Sequence, residues 1–277
     1  MKILFLGGNR YFGRNILKLL SNDKNNYIYL INRGNKKNLK KKNIFHLEVD
    51  RTNYNSLQNK IKNIYFDVIF DNIAYRKKDV AKLLSVLKNR YKKYIFSSSV
   101  IVNALLDKKY KKVLEKYSNE EINYGQKKYQ IEKYLLNKKI NCNILRIHSV
   151  LGKNDFSNKS YDLLNAKYQD LQKFNISGKN KIQFIYDEDL SRIIFYLIKN
   201  FNKIKTKILE IANEPVIIEE FYNCFNSKNI KKKSINRSSF PFPINLIVNN
   251  DKLKKIIPNN LLTRTKLIAK KFNNYCN

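Results

Sequence analysis

The chain is 277 residues long, enough to bury one large α/β core or a core with an annex, and no part of it reads as disordered throughout. Its 56 Lys and Arg against 22 Asp and Glu give a formal charge of +34, a field that attracts nucleic acid, anionic lipid or phosphorylated small molecules. Lysines recur on every expected surface face without forming a stripe or tail, and Ala, Gly and Pro are scarce, so the amino-acid bias of an A/T-rich genome accounts for the charge better than a nucleic-acid partner does.

In chain order, "MKILFLGG" meets its glycines too soon for a secretory leader or a membrane span, so a cytoplasmic protein with no membrane partner is expected. Residues 2–6, "KILFL", form a short apolar strand, and Ile16, Leu17 and Leu20 follow at helical spacing. "YIYLIN" is a second strand ending at Asn32, and "NIFHLEVD" a third. A helix around Leu57 and Ile61 leads into "FDVIFDNIA", the fourth strand. Val80, Leu83, Leu84 and Leu87 share one helical face, "KYIFSSSVIV" is a fifth strand, residues 115–138 are helical, and "CNILRI" is a sixth strand. Strands alternating with helices predict an α/β fold, a doubly wound parallel sheet whose ligands sit at the strands' carboxyl ends. Gly7, Asn32, Asp50, Ala74 and Ser99 all fall there.

Beyond residue 150 the alternation fails. A polar stretch over 151–183 holds one expected helix near Leu163–Leu171, after which "IQFIY", the helix "EDLSRIIFYLIKN" and "ILEIA" are expected to rejoin the sheet. From Pro215 onward, short helices and the turn-rich "SSFPFPIN" cap the mouth of the first domain, with Phe240 and Phe242 either bordering a groove or packing the cap. Cys142, Cys224 and Cys276 have no Cys-x-x-Cys spacing and His46 and His148 stand far apart, so neither a disulfide framework nor a metal site is indicated. His46 and Cys142 read as structural.

Two constellations carry chemistry. "GGNRYFG", residues 7–13, turns a strand tightly into a helix, the arrangement that offers backbone N–H groups and a helix dipole to a pyrophosphate. Gly7, Gly8 and Gly13 are in place, whereas Arg10 occupies the position of a fingerprint glycine, and a guanidinium there supplies a planar charged donor to phosphate. The second strand ends in "INRG", with Arg33 and no carboxylate for a ribose 2′-hydroxyl, which favours NADP over NAD. Taken alone, the turn is equally well a plain strand-to-helix connection, and Arg33 a solvated loop charge.

The second constellation is "YGQKK", which sets Tyr124 and Lys128 one helical turn apart on one face. An ammonium beside a phenol favours the phenolate, making tyrosine an acid or base near neutrality. In so Tyr- and Lys-rich a chain the pair recurs by chance, but Ser99, ending the strand "IFSSS" 25 positions earlier, adds a hydroxyl able to hold a substrate oxygen.

With these motifs, residues 1–215 resemble the extended short-chain dehydrogenase/reductases, the family of the nucleotide-sugar epimerases and dehydratases. "LRIHSVLGKND", "FIYDEDLSRII" and "LEIANEPV" match further segments of that family. The resemblance implies a Rossmann domain over 1–150, rejoined by 184–213, and a small C-terminal substrate-binding region formed by 151–183 and 214–277. It implies Ser99, Tyr124 and Lys128 as catalytic, with Lys128 also holding the nicotinamide ribose. Cofactor contacts carried over are Gly7, Gly8, Asn9, Arg10, Tyr11, Phe12 and Gly13 of the turn; Asn32 and Arg33; Asp50 and Arg51 in "EVDRTN"; Ala74 in "DNIAY"; and Ile147. Ser99, His148 and Ser149 face the substrate, His148 as a polar contact or proton donor.

The implied activity is NADP- or NAD-dependent reduction or epimerisation of a sugar, the expected substrates being nucleotide sugars, in a homodimer paired partly through the 115–138 helix. Between Ser99 and Tyr124 the acids Asp107, Glu115, Glu120 and Glu121 lie away from the serine run, which ranks dehydration below these. The turn itself resembles an atypical Gly-Gly-Thr-Arg-Phe-Ile-Gly subgroup that also contains RNA-binding members, leaving an RNA-binding protein as the alternative. Ile147 stands where proline is common, and Ile182 and Gln183 stand where many epimerases carry an arginine for the diphosphate, with Lys181 the nearest substitute.

Overall fold

Short apolar runs without alternation suit strands covered on both faces, and the chain uses them in that way. The computed structural model describes residues 1–34, 39–153, 155, 157–165, 168–223, 240–264 and 267–268. The strands are β1 (Lys2–Leu6), β2 (Tyr27–Asn32), β3 (Ile44–Glu48), β4 (Phe66–Asp71), β5 (Tyr91–Ser99), β6 (Cys142–Ile147), β7 (Val150–Leu151), β8 (Lys181–Ile182), β9 (Ile185–Tyr186), β10 (Ile208–Ile211) and β11 (Val216–Ile217). The helices are α1 (Tyr11–Asn22), α2 (Tyr54–Ile61), α3 (Lys77–Leu87), α4 (Ile101–Leu106), α5 (Lys111–Leu114), α6 (Asn119–Asn137), α7 (Lys159–Asn165), α8 (Tyr168–Lys173), α9 (Asp187–Lys199), α10 (Ile218–Asn223) and α11 (Asp251–Lys254).

Seven strands form one sheet in the order β10-β6-β5-β4-β1-β2-β3, parallel throughout. The order reverses between β1 and β4, and the register sets Leu6 beside both Ile31 and Asp71, so strand ends from both halves meet at one edge. Alternate side chains go to opposite faces. Ile3, Phe5, Leu30 and Phe70 pack under α1 and α9, while Leu4, Leu6, Ile69 and Phe96 pack under α2, α3 and α6. A separate cluster built on Leu163, Ile182, Phe184, Phe221 and Phe242 forms the core of the C-terminal region, with Phe184 edge-on to Phe221 and Phe242 at 5.7 and 6.2 Å.

Three expectations change in detail. "IQFIY" does not enter the main sheet: it splits into β8, antiparallel to β11, and β9, parallel to β7, because Gln183 between them turns inward to hold backbone. α9 and β10 do return, α9 packing beside α1 and β10 pairing with β6. The helix expected over 115–138 begins at Asn119, where Ser118 and Glu121 form a reciprocal capping box. The helix expected near Leu163–Leu171 is two, α7 and α8. Cys142 is buried and packs as an apolar side chain, and His46 bonds the Leu39 carbonyl; Cys224 and Cys276 lie outside the described residues.

Arg51, just after β3, reaches back across β2 and β1 to Asp71 at the end of β4, with two hydrogen bonds of 2.7 and 2.9 Å. Asp71 is fully buried and also accepts from the Tyr94 hydroxyl at 2.6 Å. Removing one partner of such a pair strands the other charge, so Arg51→Met should cost about 3–5 kcal/mol in urea unfolding. The double variant Arg51→Met with Asp71→Leu should lose less than that single change.

Candidate active site

The glycines of the first turn are required by space. Gly7 sits at φ +93°, and a Cβ there would lie 2.4 Å from Ile73 Cγ2; one on Gly13 would lie 2.5 Å from the Gly7 carbonyl oxygen. Gly8 is pressed against Leu30 and Phe5 behind the turn. Arg10, by contrast, caps α1 with extended backbone at φ −133°, a conformation open to any residue, which explains why arginine can replace glycine there. Tyr11 begins α1 at φ +48°, and its hydroxyl donates to the Val150 carbonyl at 2.8 Å, tying the turn to the segment after β6. Burial pushes that phenol far above its ordinary pKa.

At the sheet's carboxyl edge lies a cleft of about 1250 Å³. Single-ligand pockets run to about 1,000 Å³, so this one has room for two ligands side by side. One end is walled by Gly7, Asn9, Arg10, Tyr11 and Phe12 from the turn, and by Asn32, Arg33, Asp50 and Arg51 from the ends of β2 and β3. The middle is formed by Ser99, Tyr124, Lys128, Ile147, His148 and Ser149. The structure thus gathers into one cavity residues that the sequence spreads from position 7 to position 149. Asn32 Oδ1 accepts the Gly34 N–H at 2.8 Å, and the Asp50 carboxylate, held by Thr52, titrates below the usual range.

Tyr124 lies on α6 with 37% of its surface exposed, and both it and Ser99 line the cleft. Lys128, one turn on and only 2% exposed, donates from Nζ to the carbonyls of Ala74 at 2.9 Å and Ser97 at 2.7 Å. The rings of Phe96, Tyr75 and Tyr124 surround the ammonium with centroids at 4.9, 5.0 and 5.5 Å. The electrostatics differ from the simple expectation of a phenol made acidic by lysine. Desolvation raises the Tyr124 pKa, with Tyr75 adding to it and Ser99 opposing it. Desolvation also lowers Lys128 to about 7, against the pull of Asp71. At neutral pH the phenol is protonated and the lysine titrates.

Other residues are reassigned by what they touch. Ala74 does not line the cleft; its side chain is buried, its carbonyl serves Lys128, and Ile73 and Tyr75 form the wall. His148 reaches the wall, but its Nδ1 accepts from Ser149 N at 2.8 Å and its Nε2 donates to the Leu246 carbonyl at 3.0 Å. Burial lowers its pKa to about 4, so it is a neutral brace and not a proton donor. Gln183 spends its amide on Asn213 and Val248, Ile182 is buried, and neither they nor Lys181 border the cleft. Lys127, next to Lys128 on α6, also borders the cleft. Sequence reasoning missed Tyr75 and Arg76, which follow β4, and Phe174 and Ile176 at the far end, where Phe240 and Phe242 also lie. The placement of Tyr75 and Arg76 directly after "DNIA" was the available signal.

A family model matches residues 3–212, that of the NAD dependent epimerase/dehydratase family. The chain belongs to that family. No curated protein matches the sequence. Among solved structures, UDP-glucose 4-epimerase from Thermotoga maritima with UDP-glucose is similar at 14% identity and TM-score 0.66, covering 100% of both chains. UDP-glucuronic acid 4-epimerase from Bacillus cereus, in complex with UDP-glucuronic acid and NAD, gives 16% identity and TM-score 0.65 over 100% of this chain and 99% of that one. dTDP-glucose 4,6-dehydratase from Bacillus anthracis, in complex with NAD, gives 14% and 0.70 over 99% and 96%. At these identities the likeness establishes a shared fold, the doubly wound Rossmann arrangement of a parallel sheet flanked by helices. No helix among the described residues is long and apolar enough to cross a membrane.

The bracing role of His148 has a pH signature. Between its folded value of about 4 and its ordinary 6.5 the unfolded chain binds the extra proton, so this contribution to stability is lost as pH falls through that window. His148→Asn should be less stable than the parent at pH 7, and the gap should shrink by up to about 3 kcal/mol toward pH 4, read by urea unfolding at stepped pH.

Proposed function

We propose that this protein is an NADP-dependent epimerase or reductase acting on a hydroxyl or carbonyl of a sugar, the sugar being nucleotide-activated. The observation that carries the reading is the convergence of Ser99, Tyr124 and the buried Lys128 in one cleft with room for cofactor and substrate together. The family and its structural neighbours supply the class: two of those neighbours are complexes with a nucleotide sugar, UDP-glucose in one and UDP-glucuronic acid in the other.

The residues present fit a dinucleotide. Gly7 and Gly13 leave no space for a side chain at the turn, and Ser97 Oγ and Arg51 Nε are buried beside the cleft with no protein partner among the described residues. Gly7, Asn9 and Arg10 would hold the pyrophosphate, Asp50 the adenine, and Lys128 the nicotinamide ribose. When bound, the nicotinamide supplies the site for hydride exchange. Tyr124 Oη then gives its proton to the substrate oxygen in reduction, or takes it in oxidation, while Ser99 Oγ holds that oxygen in place. Desolvation keeps Tyr124 protonated, which suits the reductive direction.

The neighbours with cofactor carry NAD. Preference here for the 2′-phosphorylated form is supported by Asn32 where a carboxylate would meet a 2′-hydroxyl, and by Arg33 at the same end of the cleft. An RNA-binding protein would need none of Ser99, Tyr124 and Lys128, and their convergence favours the enzyme.

Two measurements test this. Tyr124→Phe should lower kcat by about 10²–10⁴-fold with NADPH affinity retained; turnover at the parent rate would refute the assigned proton transfer. Arg33→Ala should weaken NADPH binding by about tenfold or more, the worth of a charge-assisted phosphate bond, with NADH unaffected; equal effects on both cofactors would refute the NADP assignment.

A further inference from the structure

We propose that Glu132 and Arg146, acting with Ser98, are positioning residues that fix the helix carrying Tyr124 and Lys128 against the strand end carrying Ser99. The roles of those three residues rest on the function proposed above; the geometry does not.

Glu132 stands one turn beyond Lys128 on α6, continuing the stripe begun by Tyr124. It is 1% exposed, and its carboxylate accepts from the Ser98 hydroxyl at 2.5 Å and from Arg146 Nη2 at 2.7 Å and Nε at 3.2 Å. Arg146, on β6, turns its remaining nitrogen to Asn103 Oδ1 on α4 at 3.1 Å, and Asn103 in turn donates to Glu210 on β10 at 3.3 Å. Ser98 immediately precedes Ser99, and Lys128 grips the Ser97 carbonyl. The end of β5 is therefore held by α6 at two points, the Ser97 carbonyl and the Ser98 hydroxyl, both immediately before Ser99.

A buried ion pair is a poor way to gain stability, since well-packed apolar side chains do as well or better. Its distinctive property is direction: a guanidinium bonded through two nitrogens to one carboxylate fixes angle as well as distance. Apolar packing of Ile131 and Leu135 on the same helix permits sliding; the Glu132 bonds do not. Glu132 also acts on the ammonium electrostatically. The charges that bear on Lys128 are Asp71 and Glu132, which favour its protonated form, and Arg51, which opposes it, with the phenols of Tyr75 and Tyr124 beside it.

The test compares the full-length parent with Ser98→Ala, Ser98→Thr and Glu132→Gln. Three readouts are steady-state kinetics with NADPH and a nucleotide sugar, the thermal midpoint, and the pH titration of the Lys128 ε-carbon in ¹³C-lysine protein, assigned by its loss in Lys128→Arg. Ser98→Ala, which leaves no charge unpaired, should lower kcat by about tenfold with KM within about twofold, and Ser98→Thr should recover most of it. Glu132→Gln should lower kcat by about 100-fold and move the Lys128 titration to more acid pH. A lower thermal midpoint with kcat and the Lys128 titration unchanged would make the pair merely structural and overturn the proposal. Should Glu132→Gln fail to fold, Ser98→Ala decides. Should the parent turn over no nucleotide sugar, the proposed function falls while the Lys128 titration still decides the positioning role.

Discussion

Lys128 carries an ammonium into a place where almost none of its surface meets water, and the site is organised around satisfying it. Two backbone carbonyls accept its protons, one after β4 and one near the end of β5, and three aromatic rings surround it. The charge therefore draws together α6, the β5 terminus and the loop after β4, the same three elements that present Tyr124, Ser99 and Tyr75 to the cleft. Isolated burial of a cation is costly, and here much of the cost appears as a depressed pKa. The site holds its most sensitive group near its titration point.

Much of this arrangement was legible in the chain. The six apolar runs of the first half became strands because nothing but a doubly covered sheet accommodates them, and their ends placed Gly7, Asn32, Asp50 and Ser99 on one edge. The glycine turn and the Tyr124–Lys128 spacing were equally readable, being local. What escaped was set by partners distant in sequence. Arg51 and Asp71 are twenty residues apart and meet only because β3 lies at the far side of β1. His148 could not be told from a catalytic histidine until Leu246 closed on it. The pKa of Tyr124 depends on how much protein surrounds the phenol, which spacing does not report. Two-residue strands such as β8 and β9 carry too little pattern to place "IQFIY" in one sheet or another.

The strong positive charge takes on another aspect in the folded chain. Acidic residues are scarce, and several of them are committed to the interior: Asp71 to Arg51 and Tyr94, Asp79 to Arg76, Glu132 to Arg146, and Asp189 to Arg192, Asn213 and Thr263. Asp71, Glu132 and Asp189 each join elements that the backbone alone leaves separate. Lysines populate the exterior, where substitution is nearly free, while these buried carboxylates are ones the fold uses to fasten its parts.

The bond from the Tyr11 hydroxyl to the Val150 carbonyl joins the glycine turn to the segment after β6 mechanically. One terminus of that tether belongs to the first residue of α1, the other to β7. A displacement at either end of that bond is passed to the other, so the glycine turn and the segment after β6 move as one piece, coupled through a single phenol.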